Sequence, residues 1–213
     1  MTARDEILRR VRSALADVPA DDRVEVDWVY GMPTEVPSVI DTFVENILDY
    51  GATITRVTRD GLAGEIAGAL ASMGARSVVV PHDVDEGWLS GLADVEVHRD
   101  QGQLSAAELD AIDAVVTGSA VSSAETGTIC LDHGPGQGRR AISLVPDRHV
   151  CVVEAASVFS DIPEVVAQLQ ASVQAGRPIT WISGGSATSD IELDRVEGVH
   201  GPRTLHVVLV DEG

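Results

Sequence analysis

Three glycine-rich polar stretches interrupt a largely apolar chain, and each carries residue types that hold ligands or move protons. The first, SSAETGTI, runs from Ser122 to Ile129 and sets Glu125 among small residues, followed by Thr126, Gly127 and Thr128. A carboxylate partly withdrawn from water has a raised pKa, which suits base or nucleophile duty. The alternative for Glu125 is a clamp on neighbouring backbone N–H groups. The second stretch, HGPGQGRR, spans His133 to Arg140 and offers Arg139 and Arg140. The third is ITWISGGSATSDIELDRVEGVHGPRTLHVVLV, from Ile179 to Val210. It brings hydroxyls at Ser183, Ser186 and Thr188, backbone N–H groups at Gly184 and Gly185, then Asp190, His200, Gly201 and Arg203.

Glycine allows a ligand to approach main-chain N–H groups closely, and a guanidinium fork binds a carboxylate through two parallel hydrogen bonds. Asp190 and Glu192 fall at the start of an expected short helix, where they compete with a bound anion. The set therefore favours a small carboxylate or hydroxy acid over bare phosphate. Turn chemistry is the competing account: Ser189 and Glu192 have capping-box spacing, and His200 between two glycines caps a turn as readily as it orients a substrate. His133 follows Asp132, but no companion ligand stands at metal-like spacing, so no metal is expected.

Composition narrows the classes. Asp and Glu total 34 against 15 basic residues, a net charge of −19, which disfavours phosphate backbones and anionic lipid as partners. Every basic residue is arginine, so Schiff-base chemistry, lysine-bound pyridoxal and a P-loop lysine are excluded. With two cysteines, Cys130 and Cys151, the chain alone cannot ligate a four-cysteine iron–sulfur or zinc site. The start, MTARDEILRR, has no apolar leader, and no stretch reaches the ~20 apolar residues of a membrane span. The expected location is cytoplasmic.

These residues need a scaffold, and the hydrophobic pattern supplies one. Residues 2–18 read as an amphipathic helix with a cap at Thr2 and Asp5, and the proline-bearing run 19–37 reads as a linker. The helix is either packed on its own domain or a partner contact. From Ser38 the order alternates. Helices at 38–50 and 60–73 end at Gly51 and Gly74, and a short helix follows near 84–91. A further helix, SAAELDAI, precedes AVVTG, and the strands are ATITRV, RSVVV, VEVH and AVVTG. This order predicts a mainly parallel sheet with helices on both faces, and places ligands at the carboxyl ends of the strands. Beyond AVVTG the short runs GTICL, AISLV and HVCVVEA read as neighbouring strands. A helix near 161–174 and the quoted stretch, read as strand, turn, short helix, turn and strand, close the chain.

SSAETGTICL, the glycine-rich loop through GRR, SLVPDRHVCVV and ISGGSATSDIELDRVEGVHGP together resemble the lactate utilization protein C family, also called the LUD domain. The likeness covers about residues 38–210, which makes 1–37 a helix and linker ahead of an α/β domain over 38–213. The resemblance implies a fold similar to the sugar-phosphate isomerase and CoA-transferase group. It also implies a cytoplasmic role beside two iron–sulfur partner proteins in oxidising L-lactate to pyruvate, with the clusters in the partners and no cofactor in this chain. Gly185 stands where the family commonly has proline, and Ala187 where many members carry arginine. Three roles stay open: an assisting subunit of a lactate-oxidising complex, an independent transferase or isomerase using Glu125, and a small-ligand sensor. The AETG stretch weakly resembles the catalytic glutamate loop of CoA transferases.

Overall fold

Alternating valines set the two faces of the central sheet. This computed structural model describes residues 2–19, 32–189, 195–197 and 200–211. The strands are β1 (Thr53–Thr58), β2 (Ser77–Pro81), β3 (Glu96–Asp100), β4 (Ala114–Thr117), β7 (Arg148–Glu154) and β12 (Thr204–Asp211). They lie in the order β1-β12-β7-β4-β2-β3, and every pair is parallel. One face carries Val78, Val80, Val116, Val150, Val152, Val208 and Val210, covered by Leu62, Ile66 and Leu70 of helix α3 (Leu62–Ser72). The other presents Cys151, Val153, Val207 and Leu209 to Phe43 and Ile47 of α2 (Val39–Asp49). Successive strand residues point to opposite faces, so a central parallel strand reads as one continuous apolar run.

A second sheet lies on the α2 side. It contains β5 (Val121–Ser123), β6 (Thr128–Leu131), β8 (Val158–Phe159) and β9 (Thr180–Ile182), in the order β8-β5-β6-β9. Ile129 and Leu131 face the central core, while Val121 and Cys130 turn outward onto Val165 and Leu169 of α5 (Ile162–Gln174). Asp161 caps α5 by accepting from Glu164 N at 3.0 Å.

Two expected elements differ. AISLV is no strand: Arg140–Ser143 forms a 3-10 turn, and Ala141, Ile142 and Val145 pack together on Val79, Val115 and Leu109 of α4 (Ala106–Asp110). That spacing of apolar contacts belongs to a helical turn, where alternation would belong to a strand. The short helix near 84–91 is a 3-10 turn, Glu86–Leu89, started by Asp85, which accepts from Gly87 N at 2.7 Å. The polar helix expected after Ser189 falls on residues 190–194, outside the described residues; on either side of them β10 (Ala187–Ser189) and β11 (Arg195–Glu197) form an antiparallel pair. Glu192 itself lies outside the described residues.

The chain divides into two units, Met1–Tyr30 and Gly31–Gly213. In the first, helix α1 (Ala3–Ala14) starts with a complete Thr2–Asp5 capping box, and none of its residues is buried. In the second, Thr34 N donates to Asp161 Oδ2 at 2.8 Å, tying residues near the expected linker end to the α5 cap.

Candidate functional site

The AETGT stretch is the turn of the β5–β6 hairpin. Gly127 sits at φ +55°, donates its N–H to Ala124 O, and a Cβ there would collide with the backbone of Asn46. Asn46 Nδ2 donates to the carbonyls of Ala124 (2.8 Å) and Glu125 (3.0 Å), and Glu125 N donates to Ser160 O (2.9 Å). The glycine is therefore required by a positive φ and a close helix approach. The Glu125 side chain is exposed and receives the Thr34 hydroxyl at 3.4 Å. The partial burial that would suit it to base or nucleophile duty is absent. Beyond Glu125 a chain of hydroxyls runs inward: Thr126 Oγ1 to Thr128 Oγ1 at 2.8 Å, and Thr128 Oγ1 to Ser183 Oγ at 2.8 Å.

The HGPGQGRR loop braces itself. Gln137 Oε1 accepts from the N–H groups of Asp132 (2.8 Å) and His133 (3.2 Å), and His133 Nδ1 meets Gly138 O at 2.9 Å. Asp132 accepts from Ser172 Oγ (2.6 Å), Gln137 Nε2 (2.8 Å) and Gly134 N (3.0 Å), and pairs with Arg177 at 2.9 Å. Burial raises the Asp132 pKa, but these donors together outweigh it and hold the carboxyl below its ordinary value. Arg139 is engaged bidentately by buried Asp100, at 2.7 and 3.1 Å. With Arg140 it lines a separate cavity of about 620 Å³. Sequence reasoning grouped Arg139 with the other ligand candidates; the fold puts it beyond the end of β3, already paired.

Ser183, Gly184, Gly185, Ser186, His200 and Gly201 do come together. They line a cavity of about 240 Å³ with Thr180, Trp181 and Leu144, and its floor is His149 and Leu205. Ser186 N donates to Pro202 O at 2.7 Å, and His200 N donates to Ser186 Oγ at 3.1 Å, which joins the two turns. Gly184, at φ +84°, lies against Tyr50, and a Cβ on Gly185 would run into the Arg203 carbonyl. The Arg203 guanidinium points to Asp147, 3.5 Å away. Thr188 belongs to β10, and Asp190 lies outside the described residues. The cavity lies by the amino ends of β7 and β12, opposite the expected carboxyl ends. Strand β9 pairs antiparallel with β6, so the chain must return across the sheet to begin β12.

Sequence reasoning missed His149. It is 1% exposed, opposite Leu205 of β12 and Val115 of β4, and its Nε2 lies 2.8 Å from Thr117 Oγ1. Burial pushes the imidazole down to about 4, so it is neutral at physiological pH. Its signal was a lone histidine in the apolar run HVCVVEA, but the sequence does not say which face that strand presents. Cys130 and Cys151 are buried, and burial pushes both thiols up to about 12. Among the described residues no three His, Cys, Asp or Glu side chains gather as a metal-holding group. No helix among them is long and apolar enough to cross a membrane.

A mainly parallel α/β sheet, backed by a small second sheet and carrying a serine-glycine turn over its amino edge, defines the class: residues 43–210 match the LUD domain, and the chain belongs to that family. It is 48% identical over 210 residues to Lactate utilization protein C of Deinococcus radiodurans, covering 98% of this chain and 95% of that one. A protein of the same description from Geobacillus thermodenitrificans is 31% identical over 171 residues, covering 72% and 71%. A crystal structure of a DUF162 family protein from Deinococcus radiodurans superposes with a TM-score of 0.71 at 48% identity, covering 81% of this chain and 96% of that one.

Proposed function

We propose that this chain serves lactate utilization as a component of a cytoplasmic L-lactate-oxidising system, working with iron–sulfur partner proteins, and that it holds a small hydroxy acid or carboxylate in the 240 Å³ cavity. The observation that carries the reading is near full-length identity of 48% to a protein described as Lactate utilization protein C. The cavity agrees with it: it is smaller than the roughly 300–1,000 Å³ of drug-sized ligand pockets and lined by hydroxyls and imidazole. The chain has two cysteines, both buried, so the clusters that accept electrons belong to the partners. The transferase alternative gains nothing from Glu125, which is exposed at a hairpin tip. The test is recovery of the tagged chain from cells grown on L-lactate. Cysteine-rich partners should come with it, and the recovered complex should oxidise L-lactate. Recovery without partners, from cells that do oxidise lactate, would reject the proposal.

A further inference from the structure

The buried ionisable groups of the α/β unit are nearly all satisfied. Asp100 has Arg139, Asp132 has four donors, Asp161 has Thr34 N and Glu164 N, and His206 lies between Thr53 Oγ1 (2.8 Å) and Thr55 Oγ1 (3.2 Å). His149 differs. Its Nε2 has Thr117, while Nδ1 has no hydrogen-bond partner among the described residues. The enclosed side-chain atoms without partners there are Arg99 Nη1, Ser122 Oγ and Ser123 Oγ, and His149 Nδ1 is not one of them. The ring lines the cavity, and with Nε2 taken by Thr117 the nitrogen left for a ligand is Nδ1.

We infer that His149 is the anchor for the oxygen on carbon 2 of a small 2-hydroxy or 2-oxo acid, with Thr117 setting its tautomer. The inference rests on the cavity being the ligand site proposed above. A hydroxyl both donates and accepts, so Thr117 stabilises either neutral form of the ring. When Thr117 accepts from Nε2–H, Nδ1 carries a lone pair and accepts from a ligand hydroxyl. When Thr117 donates to Nε2, Nδ1 carries the hydrogen and donates to a ligand ketone. One pair therefore fits both a hydroxy acid and the matching keto acid without a change of charge. The carboxylate belongs with the exposed His200 and the Ser183 and Ser186 hydroxyls, which also line the cavity. A neutral ring lining the cavity with Leu144 and Leu205 is a poor partner for an anion and a good one for an uncharged oxygen.

The test is calorimetric titration of the full chain with L-lactate, pyruvate and propionate, which keeps the carboxylate and lacks the oxygen on carbon 2. The native chain should bind lactate and pyruvate about 10-fold or more tighter than propionate. His149→Gln, whose amide reaches the Nε2 position and keeps the Thr117 bond, should bind all three alike. His149→Asn, whose amide reaches the Nδ1 position, should keep most of the preference. Thermal melts show that each variant is folded. If folded His149→Gln discriminates as the native chain does, His149 is not the anchor and the ligand site stands. If the native chain binds none of the three saturably, the ligand site falls and the anchor with it.

Discussion

His149 shows how a single buried side chain links stability to chemistry. An imidazole ordinarily titrates at 6.5, and burial here holds it neutral down to about 4. Below the ordinary value the unfolded chain takes up a proton that the folded chain refuses. Stability therefore falls as the pH drops from 6.5 to about 4 and levels off below that. The span corresponds to about 3 kcal/mol for this group alone. Burial also lowers the pKa of His206, and Asp100, Asp113 and Asp132 are held below the ordinary carboxylate range, so all of them lose stability in acid as well. Those residues stay in a His149→Asn variant, so their share cancels in the difference between two chains. The expected outcome is a melting temperature that falls less steeply from pH 6.5 to 4 in the variant. Parallel curves would mean that the ring protonates in the folded state without penalty.

At the scale of elements, the parallel sheet was legible because short apolar runs are separated by helical segments, two of which stop at a glycine. Gly51 and Gly74, at φ +74° and +67°, follow the ends of α2 and α3 as the pattern required. The second sheet was not legible in full. β5 and β8 have three and two residues, and Ser122 and Ser123 are polar yet fully buried, so no hydrophobic pattern marks them. The candidate cavity was half legible: serines and glycines announced its outer wall, while its floor depends on which face of β7 meets β9. The glycines themselves are explained by packing more than by ligand approach. Gly127→Ala would force a Cβ against the Asn46 backbone at φ +55°, and Gly185→Val would drive one into the Arg203 carbonyl. Each should lower stability, by on the order of 1–3 kcal/mol for the strained Gly127 site. Gly68→Ala in the middle of α3, where an added Cβ meets nothing within 4 Å, is the control and should be neutral or stabilising. Denaturant melts of the three variants give the comparison, and equal midpoints would show that the turns are loose enough to yield.

At the scale of the whole molecule, the question is where two electrons from a hydroxy acid would go. Lactate oxidation needs an acceptor, and protein side chains rarely serve as one without a cofactor or a reactive thiol pair. Cys130 and Cys151 belong to different sheets and different clusters of the core, and both thiols are held protonated by burial. A chain with −19 net charge also offers no general attraction for an anionic nucleotide carrier. Thr117, His149 and the hydroxyls around Ser183 suit binding and orienting a small acid, and the acceptor fits better in a partner. The isolated chain should therefore give no turnover of L-lactate with an artificial dye, while dye reduction should appear once the proposed cysteine-rich partners are added. Rates of ~1 per second or more from the chain alone would place the whole reaction here. The Cys130→Ser and Cys151→Ser variants would then show whether its thiols take part.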